Sequence, residues 1–175
     1  MTQTIATPDA AEQPALQTAF REVMSAVCTP VSVVTAMADG LPHGTTVSAF
    51  ASLSMDPPMV LVSLDRSSEL LEMVRECGRF GVNVLSSSQS TLALAFARKG
   101  GVGKFAGVPW DVEAGVPRLP GAGGFLACDV SDVVEGGDHV IVLGLVRAVD
   151  TVAAPPLTYH GRVFGTHAAL DERSA

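Results

Sequence analysis

Short valine-rich runs separated by turn-forming residues leave this chain few folds to choose from. Twenty-four valines stand against nine aromatic residues, so the supply of residues that favour a pleated, half-buried surface is mainly aliphatic. Gly and Pro together make up 28 of the 175 residues, above the roughly 12% of average usage, as in a chain with many tight turns. A purely helical bundle does not fit. The expectation is a β-rich domain with a few helices.

With 47% hydrophobic and 17% charged residues, the chain has the make-up of one globular domain. At this length folding buries roughly 70% of the unfolded chain's surface, so the core needs no staples. Cys28, Cys77 and Cys128 form no CxxC pair and are odd in number, which points to reduced thiols and away from zinc or a disulfide framework. A net charge of -7 with no basic run lacks the electrostatic footprint of a nucleic-acid partner. No apolar run approaches the ~20 residues of a membrane span, so no membrane partner is expected. The first fifteen residues carry neither a cationic start nor an apolar stretch of signal-peptide length. They read as a flexible tail, residues 16–170 as the domain, 171–175 as a second tail, and the protein as cytoplasmic.

Leu16, Phe20, Val23, Met24 and Val27 follow helical spacing, so residues 16–27 read as an amphipathic helix that Pro30 stops. Residues 31–37 read as a strand leading into an Asp39-Gly40 turn. From Val47 the alternation of Ala49, Ala51 and Leu53 with Ser48, Ser52 and Ser54 predicts a half-buried strand. Residues 59–64 form a strand buried on both faces, followed by Asp65, Arg66, Ser67 and Ser68 at the start of a helix that Gly78 ends. A strand over 80–85 and a helix opened by Ser88 and ended by Gly100-Gly101 come next. Residues 100–124 read as a long ordered loop too irregular for a sheet. Strands over 125–134 and 140–149, joined through Asp138-His139, and one or two more over 157–164 complete a mostly antiparallel barrel.

The search for chemistry eliminates more than it finds. Residues 101–106 match GxGxx(G/A), but they follow a helix where the dinucleotide motif must follow a strand. Phe105 occupies the place where a phosphate-binding loop needs Ser or Thr. The four histidines have no metal-ligand spacing and read as isolated loop residues, and no serine lies in GxSxG. What stands out is the polar stripe Thr45, Thr46 and Ser48 beside Ala49, with Ser63 to Ser68 at a helix start. Free backbone donors and the helix dipole would welcome a phosphate there, although Asp65 and Glu69 would partly repel it. Simple helix capping is the other reading of the same residues.

These residues lie in blocks that resemble the flavin reductase family, the small reductase partners of two-component flavin-dependent monooxygenases. The likeness runs from Pro30 to about Gly165 in six ordered blocks: PVSVVTA, DGLPHGTTVSAFASLSMDPPMVLVSLDRSS, GRFGVNVLS, FARKGGVGKFAGV, GGDHVIVLGLV and PPLTYHGRVFG. Pro30 and Ser32 depart from the Gly and Thr frequent in the family. The resemblance implies a homodimeric FMN-binding split β-barrel that oxidises NADH or NADPH and reduces FAD or FMN for a partner monooxygenase. It places Thr45, Thr46, Val47, Ser48 and Ala49 along the flavin ring and Ser63, Leu64, Asp65, Arg66, Ser67 and Ser68 at the flavin phosphates. It brings Asn83, Lys104 and Phe105 to the cofactor and His139 to the nicotinamide nucleotide. Direct hydride transfer between stacked rings asks for no acid–base pair, which agrees with the absence of one in the sequence. The rivals are a non-catalytic flavin carrier and an oxidase of the pyridoxamine phosphate type, from which the GGDH and SLDRSS blocks point away.

Overall fold

The computed structural model describes residues 13–170. Helix α1 (Gln13–Ser25) begins three residues earlier than the spacing predicts, so Gln13, Pro14 and Ala15 are helical and not part of a tail. Residues 1–12 and 171–175, the rest of the expected tails, lie outside the described residues. A short β1 (Thr29–Pro30) leads to β2 (Ser32–Ala38) and β3 (Leu41–Val47), a hairpin closed by Asp39 and Gly40 at φ 51° and 75°. Both central residues having positive φ is what a two-residue turn needs to match strand twist. Then follow β4 (Phe50–Met55), β5 (Pro58–Asp65), α2 (Glu69–Cys77), β6 (Arg79–Val84) and α3 (Ser90–Ala97).

Two sequence expectations need correction here. The strand expected from Val47 onward is broken: β3 ends at Val47, and β4 starts at Phe50. The 100–124 segment is not free of sheet, because β7 (Asp111–Glu113) and β8 (Val116–Arg118) form a small hairpin. Its turn puts Ala114 at φ 50° before Gly115 at φ 82°, and an Ala in the left-handed region carries no sequence signal for a turn. The chain ends in β9 (Gly124–Gly136), β10 (His139–Thr151), β11 (Leu157–His160) and β12 (Val163–Thr166).

Seven strands form one antiparallel sheet in the order β3-β2-β6-β9-β10-β5-β4. The two edge strands, β3 and β4, are consecutive in the chain and separated by Ser48 and Ala49 alone. Two residues span only ~7 Å. The sheet must therefore curl until its edges nearly meet, and the Ser63 N–H donates to the Ala49 carbonyl at 2.9 Å across that junction. Pro42 sits on β3, where an edge strand tolerates the missing donor.

The inner face of the sheet and α2 share one core, with Leu70, Leu71, Val74, Phe80 and Val82 at most 1% exposed. Burying Leu70, Leu71 and Val74 contributes roughly 1.5–3 kcal/mol each, which fixes α2 and hence the position of its N-terminus. Gly78 ends the helix at φ 68°, its N–H donating to the Val74 carbonyl. A second cluster gathers Ala93 and Phe96 of α3 with Val33 of β2, Phe105 and Leu119, and α3 also lies against β3. Gly44 makes that approach possible, since a Cβ there would stand 2.9 Å from the Phe96 ring.

Candidate functional site

Two clefts flank β3 and meet at Ala97. The first, of about 500 Å³, is walled by Val31, Ala93, Leu94 and Phe164, with Thr46, Ser48, Tyr159 and Arg162 as its polar groups. The second, of about 430 Å³, is polar and charged: Thr45, Ser67 and Ser68 face Arg98, Lys99 and Lys104, with His43, Asp65 and Glu69 alongside.

Each wall follows from local folding. The Thr45 and Thr46 hydroxyls donate to the carbonyls of Phe96 and Ala93 at 3.5 and 2.6 Å, docking β3 on α3. The Lys104 ammonium donates to the carbonyls of Gly44 and Phe96, both at 3.1 Å, at the end of α3 where carbonyls lack helical partners. Burial lowers its pKa, and the negative charge of Glu69 opposes the shift. Asp65 accepts from the Ser67 hydroxyl and N–H at 2.6 and 2.7 Å, which lowers its pKa, the hydroxyl contributing most. Ser68 occupies the N-cap position of α2 without a side-chain cap bond. Capping therefore leaves this hydroxyl unused, and the first N–H groups of α2 have no partner within the helix.

The structure thus brings Thr45, Asp65, Ser67, Ser68 and Lys104 to the polar cleft and Thr46 and Ser48 to the apolar one. Other sequence-predicted residues lie elsewhere. Val47, Leu64 and Phe105 are buried in the core, with Phe105 edge-on to Phe96 and Trp110. Ser63 and Ala49 lie at the sheet junction. The Arg66 guanidinium pairs with Glu135 and donates to the Gly137 carbonyl, tying it to the β9–β10 hairpin. Asn83 is fully buried: its amide donates to Val33, Thr35 and Pro117, and its oxygen accepts from the Leu119 N–H at 2.8 Å. Both ends of Asn83 are thus consumed by the framework. His139 is exposed at the start of β10, opposite Asp65, with Nδ1 2.8 Å from Asp138.

Sequence reasoning placed Glu69 beside the phosphate site but missed its partner His43, and it missed Arg162 at these clefts. His43 is no loop residue; it lies on β3, with Nε2 3.2 Å from Glu69 and a buried Nδ1 that has no partner. Arg162 reaches the apolar cleft from a hairpin tip at φ 66°. Spacing carried no signal for either, because both contacts join distant segments. Among the described residues no cluster of His, Cys, Asp and Glu could hold a metal, and no helix is long and apolar enough to cross a membrane.

An apolar slot continuing into a cationic pocket at a helix N-terminus fits a planar ring joined to a phosphate, and so fits a flavin. The reductase subunit HsaB of a flavin-dependent monooxygenase from Mycobacterium tuberculosis is 36% identical over 83% of this chain and 80% of its own length. An FMN reductase (NADH), SmoA, from Agrobacterium fabrum is 37% identical over 83% of each chain. The structure of a Streptomyces globisporus NADH:FAD oxidoreductase, SgcE6, with NAD and FAD fragments superposes with a TM-score of 0.83 at 31% identity, over 91% of this chain and 96% of its own. Residues 24–168 match the flavin reductase like domain, and the chain belongs to that family.

Proposed function

We propose that this protein is an NAD(P)H:flavin oxidoreductase that takes hydride from NADH or NADPH, reduces FMN or FAD and supplies the reduced flavin to a partner monooxygenase. The observation that carries this reading is the apolar cleft opening into the cationic one at Ala97. Relatives that carry reductase names, two of them naming NADH, support it and disfavour a carrier without turnover.

Bound flavin supplies the hydride acceptor. The chain's own part is to position and to exclude. Thr46, Ser48, Leu94 and Phe164 would bracket the ring system, and Ser67, Ser68, Lys104 and the first amides of α2 would hold the phosphate. Direct hydride transfer needs stacked rings at roughly 3–3.5 Å and no general acid. His139, across the ladder from Asp65, is our candidate for contact with the nicotinamide nucleotide. We read the curled sheet, with edges joined through Ser48 and Ala49, as a split barrel. The apolar face of α1, where Phe20 is 62% and Val23 66% exposed, supports a homodimer.

The test is NADH oxidation under anaerobic conditions with FMN, FAD or no added flavin. Turnover that saturates with added flavin is expected. Protein that binds flavin tightly and oxidises neither NADH nor NADPH would sink the proposal in favour of a carrier.

A further inference from the structure

Three cations, Arg98, Lys99 and Lys104, line the polar cleft together with the N-terminal end of α2. Its two carboxylates are held differently. Asp65 turns Oδ1 inward to the Ser67 N–H and hydroxyl. Glu69 has a single side-chain partner, the Nε2 of His43 at 3.2 Å, and its side chain is 71% exposed. The His43 side chain is only 8% exposed, so packing holds the imidazole and Glu69 is tethered to it through Nε2; Nδ1 is buried without a partner. The same carboxylate lies 3.2 Å from where a Cβ on Gly101 would stand, which sets it between β3 and the segment carrying Lys104.

We propose that Glu69, tethered by His43, is a built-in counter-anion that competes with the flavin phosphate for the cations and amides of this cleft and keeps flavin exchangeable. The inference rests on reading the polar cleft as the phosphate end. A reductase that hands its product to another enzyme needs such a brake, because three cations and a helix N-terminus would otherwise hold a phosphate strongly. Glu69 already acts electrically on Lys104, whose charged form it favours. His43 is a positioning residue that works through Glu69.

Dissociation constants for FMN and for riboflavin, which has the ring and no phosphate, are measured by flavin fluorescence on the full chain, wild type, Glu69→Gln and His43→Phe. Glu69→Gln should tighten FMN about three- to tenfold, the scale of one solvent-facing unit charge at close range. It should leave riboflavin unchanged, and the gain should shrink at high salt. His43→Phe, which fills the space but cannot hold the carboxylate, should move the FMN-to-riboflavin ratio the same way by less, since Glu69 keeps its charge. Equal shifts for both flavins, or weaker FMN binding in Glu69→Gln, overturn the inference, and an unmoved ratio in His43→Phe overturns the tether. Wild-type protein that binds the two flavins equally refutes the phosphate reading itself, and the inference with it.

Discussion

Replacing Asn83 with Ala separates a framework role from a ligand role at a residue where the sequence permits both. The side chain accepts from the Leu119 N–H at 2.8 Å and donates to Val33, Thr35 and Pro117 at 3.2, 3.3 and 3.4 Å. Two amide protons serve three acceptors, so those bonds are shared and individually weak. The Pro117 carbonyl keeps a donor when Asn83 is gone, because the Thr35 hydroxyl lies 2.6 Å from it. The main loss is the Leu119 N–H, orphaned beside a residue that is 1% exposed, at about 1–3 kcal/mol. The void adds about 1 kcal/mol more. A total near 3 kcal/mol lowers Tm by roughly 6–12 °C at this chain length. Thermal unfolding followed by circular dichroism reads the loss, and a flavin titration well below the transition reads the ligand. The expected pair of results is a lowered Tm with FMN affinity within twofold of wild type. A wild-type Tm combined with a tenfold loss of FMN affinity would refute the framework assignment.

Further perturbations probe other levels of the structure. Ser67→Asp should raise the Michaelis constant for FMN about tenfold by charge repulsion and leave that for riboflavin unchanged; equal values for FMN would confine Ser67 to its turn with Asp65. Gly144→Ala forces a Cβ to within 2.3 Å of the Phe80 ring and 2.9 Å of Cys128 Cβ, both in the core, so Tm should fall by an amount matching an overpacking cost of about 3 kcal/mol. Phe80→Leu on that background should recover part of it. Burial pushes the Cys128 thiol up to about 12, so an alkylating reagent at neutral pH should label exposed Cys28 and spare Cys128. For the same reason the unfolded chain, whose thiol ionises near 9, sheds this proton before the folded one does, and stability declines as pH rises between those two values. A Cys128→Ala variant should lose that part of the alkaline slope.

Elements whose signal lies within a few residues were legible. The Asp39-Gly40 turn, the end of α2 at Gly78 and the β9–β10 hairpin stand where turn chemistry and β-branched runs place them. The break between β3 and β4 was not, although Phe50 interrupts the alternation from Val47 to Ser54 there, because the junction is set by the curl of the whole sheet. The hydroxyl stripe was legible as a site, but not its division: Thr45 faces the polar cleft and Thr46 the apolar one, on either side of one strand. Arg66 stood beside the serines in the chain, yet its guanidinium leaves them for Glu135 on the hairpin tip. A long side chain follows the nearest opposite charge in space.

By itself the sequence determined the β-rich class, the lack of a nucleic-acid footprint and the polar helix start at Ser67 and Ser68. These depend on composition, period and capping, all local or additive quantities. Only the tertiary structure decided that Lys104 is held against the carbonyls of Gly44 and Phe96, that Arg162 enters the apolar cleft, and that Glu69 is held by His43. The physical reason is range: 26 residues separate His43 from Glu69 and 60 separate Gly44 from Lys104. The packing of α2 and α3 against a curled sheet sets such pairings, and no window of neighbouring residues encodes them.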